Sequence, residues 1–280
     1  MQTKGLLTQS IVGLQQNGKR FRQERPRARI HFPTLPIVDK IRMTLNNTDS
    51  EFNHPRSKLK DHKALEQSDI VANITMNRNR ALMGDNSYGK EFDLNPATVL
   101  ENRLKEKGEA AWLDLCCGRG RALIDAAIAF GTNDLTLHGV DLVDHFDPRS
   151  TQYPAITLTV SSLHTWTTTQ RYDLVTCIYG LHYIGDKLGL ITKAVSWLNS
   201  NGIFLANLDL NHVLNQDGTA FTKKLTNWFQ TSGFEFDRQS GVLQKAGSAM
   251  LSSPFEYLGA DDRAGPNATG QPGVASYYRV

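Results

Sequence analysis

Apolar residues along this chain fall into short, nearly continuous runs separated by stretches of helical period. AAWLDL (110–115), LTLHGVDL (135–142), AITLTV (155–160), YDLVTCIYG (172–180) and GIFLANLDL (202–210) are runs of strand length. Between them lie RALIDAAIAFG (121–131), KLGLITKAVSWLNSNG (187–202) and FTKKLTNWFQTSG (221–233), whose apolar positions recur at helical spacing. Gly or Asn-Gly ends each of the three, as a helix stop should. Strand-like stretches return around 234–245, 254–259 and 274–280, and GADDRAGPNATGQPG (259–273) reads as a long turn between the last two. Strands apolar on both sides and spaced by helices predict an α/β fold with a parallel sheet covered on both faces.

The N-terminal third is different. Residues 1–60 show little sustained periodicity and contain HFPTLP, an extended Pro-bearing stretch. From about 62, Leu65, Ile70, Ile74 and Leu82 sit at mixed helical spacings, with Gly84 as the expected stop. DNSYGKEFDLNP follows as a polar loop. NPATVLENRLKEKG then predicts a helix that starts near Pro96 and stops near Gly108. The chain therefore divides into an arm (1–60), a helical segment (61–108) and the alternating domain (109–280).

Charge separates the arm from the rest. Residues 1–63 carry 13 Lys+Arg against 5 Asp+Glu, a net of +8; the remaining 217 carry 18 against 23, a net of −5. A basic arm suits nucleic acid or an anionic surface, and it equally suits a solvated tail. It lacks interleaved aromatics, and Glu24 and Asp39 interrupt a transit-type reading. No run of 18 apolar residues is present, so no membrane span is expected. No apolar core precedes a small-residue cleavage site, and three cysteines make no disulfide framework. A reducing, cytoplasmic setting is the expectation.

The richest stretch is WLDLCCGRGRAL (112–123). Adjacent Cys116 and Cys117, with Cys177 far off and no C-x-x-C, do not have the spacing of a zinc or redox site; no metal is expected. Gly118 and Gly120 form a G-x-G at the junction of a buried strand and a helix. Leu123 occupies the third glycine position of a dinucleotide loop. Ligands of open α/β sheets bind at the carboxyl ends of the strands, so a nucleoside-type cofactor is favoured there. Asp141, at the end of the second strand, is placed to bond both ribose hydroxyls. Asp114, just before the loop, would repel a pyrophosphate but suits a ligand bearing an ammonium and a sulfonium charge.

With these residues in view, D-L-C-C-G-R-G resembles the D-x-G-x-G-x-G motif of class I S-adenosylmethionine (SAM)-dependent methyltransferases. The resemblance covers roughly residues 70–280 in element order. It implies a Rossmann-like, seven-stranded, mostly parallel sheet with an antiparallel C-terminal strand, and SAM as cofactor. It further implies that Asp114, Cys116, Gly118 and Gly120 hold the methionine half, and that Asp141 and Leu142 hold the ribose. Ser162 and Leu163, in TVSSLHTW, would contact the adenine. YDLVTCIYGLHYIG resembles the family's fourth-strand motif, and places Tyr179 and His182 where substrate and methyl group meet. His182 is a candidate general base. N-terminal helices close over the cofactor in this family, so residues 61–108 read as a lid. Asn86, Ser87 and Tyr88 would line the site, and Arg80 would pair with the cofactor carboxylate. Two departures stand out: Cys116 replaces the first glycine, and Ser162 stands where an Asp often caps the adenine amino group.

The resemblance implies in-line attack by a substrate N, O or C nucleophile on the sulfonium methyl. The fourth strand ends in Ile178-Tyr179-Gly180-Leu181 rather than N/D-P-P-Y/F, which disfavours amino-group methylation of nucleic acids. A small molecule or a peptide end is the expected acceptor. Three rivals remain at this stage: an RNA or protein methyltransferase using the basic arm, an NAD-dependent oxidoreductase, and a non-catalytic scaffold of the same fold. Nothing in the sequence fixes the oligomeric state.

Overall fold

The computed structural model describes residues 59–73 and 79–280. The basic arm expected over 1–60 lies, except for its last two residues, outside them. In chain order the elements are α1 (His62–Glu66), α2 (Tyr88–Glu91), α3 (Pro96–Lys107), β1 (Ala110–Leu115), α4 (Arg121–Phe130), β2 (Leu135–Asp141), β3 (Ile156–Val160) and β4 (Tyr172–Cys177). There follow α5 (Lys187–Ser196), β5 (Leu198–Asn207), β6 (Val213–Asn215), α6 (Thr222–Thr231), β7 (Glu235–Phe236), β8 (Val242–Ala246), β9 (Glu256–Asp261) and β10 (Ala275–Arg279).

Seven strands make one sheet in the order β3-β2-β1-β4-β5-β8-β7. The first five pair in parallel, and β8 runs antiparallel to both β5 and β7. This is the expected mostly parallel sheet with an antiparallel C-terminal strand. Successive side chains of a strand point to opposite faces, and both faces are apolar here. Trp112, Leu174 and Leu205 join a core with residues of α3 and α4. Leu113, Val175 and Phe204 join the other core, with residues of α5 and α6. The chain leaves β1 toward β2 on one side, while β4 lies on the other. The crevice above the carboxyl ends of β1 and β4 is therefore the switch point where such sheets bind ligands.

Local chemistry explains the helix ends. Asn95 caps α3 by accepting from the Ala97 N–H at 2.9 Å, and Gly108, at φ 78°, closes it. Among the described residues, no helix is long and apolar enough to cross a membrane.

Four elements differ from the sequence expectation, the first being the short helix α2 inside the stretch 85–96 expected as a polar loop. The helix expected from 62 toward Gly84 is only five residues long. Leu65 and Ile70 are five apart rather than three or four, and after Glu66 the chain turns, with the Ser68 hydroxyl accepting from the Val71 N–H. Residues 74–78 lie outside the described residues. The helix expected over 187–202 stops at Ser196, because Leu198 onward pairs with β4. Gly202 belongs to that strand, and a Cβ there would stand 2.7 Å from the Tyr172 carbonyl oxygen. The last two strands do not extend the main sheet. β10 pairs in parallel with β6 and antiparallel with β9, forming a second, three-stranded sheet. Lys60 is bridged to Ala260, and its ammonium pairs with Asp262 at 2.6 Å, so the chain entering α1 is tied to β9.

Candidate functional site

A cavity of about 650 Å³ opens at the switch point. Its floor is the turn that follows β1. Cys116, Gly118 and Gly120 have φ of 56°, 58° and 74°, so three of five consecutive residues are left-handed. Two are glycines, which adopt this conformation freely. Cys116 takes it at a cost of about 1 kcal/mol. The turn is held from below: the Cys117 N–H donates to the Val140 carbonyl and the Gly120 N–H to the Cys117 carbonyl. A hydrogen bond with Cys177, and then burial, raise the Cys116 thiol well above its usual range. It is neutral at physiological pH, a small residue of a turn rather than a nucleophile.

Asp141 forms the next part of the site. Its carboxylate is 3% exposed, faces the cavity, and accepts from the Gly118 N–H at 2.9 Å and the Val143 N–H at 3.0 Å. These bonds lock the end of β2 to the glycine turn. Leu142 and Leu163 supply apolar lining.

Asp114 is placed differently from the expectation. It is fully buried and does not border the cavity; Tyr88 lies between. The Tyr88 hydroxyl donates to Asp114 Oδ2 at 2.7 Å, and Thr176 Oγ1 donates to Oδ1 at 2.6 Å. Trp112 Nε1 donates in turn to Thr176 Oγ1 at 2.8 Å. Burial outweighs these two hydrogen bonds and pushes the Asp114 carboxyl up to about 7. Burial, and then the Asp114 charge, raise the Tyr88 hydroxyl well above its normal range. Asp114 thus supports Tyr88, and any effect it has on a ligand passes through that side chain or the turn.

At the far end of the cavity the chain leaves β4 through Tyr179, which also has positive φ (54°). The Tyr179 N–H is anchored by Asn207 Oδ1 at 3.3 Å, and the hydroxyl donates to the Glu91 carboxylate. The Arg80 guanidinium lies 4.8 Å above the Tyr179 ring and pairs with Glu91. Burial and Glu91 push the Tyr179 hydroxyl up to about 12, so at neutral pH it is a donor and not a phenolate. Arg80 borders the cavity, but its partner in the structure is Glu91.

Among the other expected residues, Gly120 is buried beneath the turn, where a Cβ would press on Leu158 at 3.2 Å. The Ser162 hydroxyl points to Glu66 rather than into the cavity; its neighbour Ser161 lines the wall. Asn86 is exposed, and Ser87 is buried and donates to the Gly84 carbonyl, so neither borders the cavity. His182 is 2% exposed and stacks on Tyr179, ring centroids 5.7 Å apart, on the side away from the cavity. Neither ring nitrogen has a hydrogen-bond partner among the described residues, and burial together with Lys187 lowers it to about 4. A neutral imidazole behind Tyr179 supports that ring and does not line the cavity.

The structure thus brings Cys116, Gly118, Asp141, Leu142, Leu163, Arg80, Tyr88 and Tyr179 around one cavity, and leaves Asp114, Gly120, Ser162 and His182 behind its walls. Sequence reasoning did not find Glu66 and Glu91. It also missed Thr269 and Gln271, which the long Gly-rich turn brings into the lining.

A family model described as a methyltransferase domain matches residues 89–242. Among solved structures, the chain is similar to the plantazolicin methyltransferase BpumL in complex with a monoazolic desmethylPZN analog and S-adenosylhomocysteine (SAH). That match has 12% identity and a TM-score of 0.35, over 52% of this chain and 51% of that one. It is also similar to an S-adenosylmethionine-dependent methyltransferase from Clostridium acetobutylicum, at 23% identity and a TM-score of 0.34, over 46% and 53% of the two chains. A third is the O-methyltransferase of a trans-AT PKS multienzyme of Brevibacillus brevis in complex with SAH, at 20% identity and a TM-score of 0.34, over 52% and 44%. The chain spans about half the length of each of these proteins. No curated protein matches it.

Proposed function

Because the chain belongs to the methyltransferase family whose domain matches residues 89–242, we propose that it moves a methyl group from SAM to an N, O or C nucleophile of a small molecule or a peptide. The observation that carries this reading is one carboxylate, Asp141, facing the cavity while locked to the left-handed turn Cys116–Gly120. A ribose diol fits that carboxylate, and the glycine turn lets main chain approach the rest of the ligand. SAM supplies a methyl already activated by the sulfonium charge.

The chain's own residues have then to orient the acceptor and exclude water, and orientation of this kind lowers a barrier by about 7–11 kcal/mol. Tyr179 is the residue best placed for it. Its ring is held by stacking on His182 and by the Arg80 guanidinium over it, and its hydroxyl by Glu91. Tyr183, Thr269 and Gln271 add polar lining at the acceptor end. Cys116, Cys117 and Cys177 form no disulfide among the described residues, which suits a reducing compartment, and we place the protein in the cytoplasm.

The test is to incubate the protein with methyl-labelled SAM and separate pools of small alcohols and phenols, amines, carboxylates, short peptides and RNA. Label is expected in a small-molecule or peptide pool. Label in RNA alone, lost when the basic arm is removed, would favour the arm-based reading instead. A protein that binds no SAM and labels no pool would overturn the proposal.

A further inference from the structure

The base end of the cavity carries a second carboxylate that does not come from the sheet. Glu66, on α1, lines the cavity together with Leu142, Ser161 and Leu163. Its Oε1 accepts from the Ser162 hydroxyl at 2.5 Å, and that hydroxyl accepts from the His164 N–H at 3.2 Å. Oε2 takes no hydrogen bond among the described residues. The loop after β3 is held around this point from two other directions. His62, one turn before Glu66, stacks on His164 with ring centroids 3.2 Å apart. The Lys193 ammonium, from α5, donates to the carbonyls of Leu163 and His164 at 3.0 and 2.9 Å. Glu66 is therefore a fixed acceptor at the edge of an apolar slot, supplied by a helix outside residues 89–242.

With Asp141 holding the ribose, the base would lie toward Leu142 and Leu163, which line the same cavity as Glu66. We infer that Glu66, delivered across the cavity by α1 and fixed by Ser162, reads the exocyclic amino group of the cofactor's purine and makes the site selective for a 6-amino over a 6-oxo base. A carboxylate only accepts hydrogen bonds. It accepts from an amino group and faces lone pair to lone pair with an oxo group, so attraction and repulsion act together. This assignment rests on the SAM reading. It makes α1 part of the cofactor site.

The test compares dissociation constants of SAH and of its deaminated analogue S-inosylhomocysteine, by calorimetry, for the full chain and for Glu66→Gln. The unmodified protein is expected to prefer SAH by at least tenfold, on the scale of one hydrogen bond to a charged group. Glu66→Gln, whose amide turns either an oxygen or an NH₂ to the base, is expected to reduce that preference to about threefold or less. Ser162→Ala, which leaves the carboxylate present but unanchored, is expected to fall between. Because each ratio is internal to one protein sample, a loss of folded material does not change it. A ratio unchanged in Glu66→Gln overturns the assignment while leaving the SAM reading intact. Absence of SAH binding by the unmodified protein overturns the SAM reading itself.

Discussion

Between about pH 4 and pH 7 the unfolding free energy of this protein should carry a falling component as pH rises, and Asp114→Asn should remove it. Burial raises the Asp114 carboxyl from 3.8 to about 7 in the folded chain. Within that window the folded state holds a proton that the unfolded state has released. The Asp114 contribution then declines with pH, by up to about 1.4 kcal/mol per unit for one group, while His182, lowered to about 4, adds a rising component in the same window that both proteins share. The Asp114 contribution is complete below pH 4 and gone above pH 7. The carboxyls of Asp147 and Asp209 are depressed to about 2. Their stabilisation is lost only as pH falls below 4, outside the window. Asparagine fits the same network. Thr176, which already accepts from Trp112, keeps donating to its oxygen, and the Tyr88 hydroxyl rotates to accept from the amide. Urea unfolding of both proteins at several pH values from 4.5 to 7.5 measures the difference. Parallel curves would mean that Asp114 is ionised in the folded state.

Asp141→Ala should weaken SAH binding by about a hundredfold. Two ribose hydroxyls would lose a carboxylate acceptor, and a hydrogen bond of this kind contributes about 1.5–3 kcal/mol. The substitution also releases the Gly118 and Val143 N–H groups, and with them the hold of β2 on the glycine turn. Asp141→Asn should lose less, because one oxygen remains to accept. Calorimetric titration of each variant gives the ratio directly, and an unchanged affinity in Asp141→Ala would remove Asp141 from the ribose site.

The parts of the molecule legible in the sequence are those set by period and by local turn chemistry. Continuous apolar runs announced β1, β2, β4 and β5, since a parallel strand buried on both faces tolerates few polar side chains. The glycines of the turn and the Asp141 position could be read because both lie at strand ends in a fixed order. The departure at Cys116 correctly marked a place where backbone strain is found. The second sheet was not legible as such: β6 is three residues long, and its pairing with β10 joins residues more than sixty apart. The same holds for side-chain partners. Glu66 meets Ser162 across 96 residues and Glu91 meets Tyr179 across 88, and no spacing rule connects them. His182 was rightly located just past β4, but only the packing shows its ring behind Tyr179 rather than in the cavity. Asp114 teaches the same lesson. Its position in the motif is visible in the sequence, whereas its enclosure by Tyr88, Thr176 and Trp112 is a property of the fold.

The central claim is that this cavity holds an adenosyl-sulfur cofactor, and titration of the purified protein with SAH, and separately with NAD, tests it most directly. The structure predicts heat of binding with SAH at micromolar concentrations and none with NAD, whose pyrophosphate finds no fully glycine-built cradle where Leu123 stands in place of the third glycine. Binding of NAD without SAH would contradict the account and turn the same fold into an oxidoreductase site; binding of neither would leave a scaffold without a cofactor.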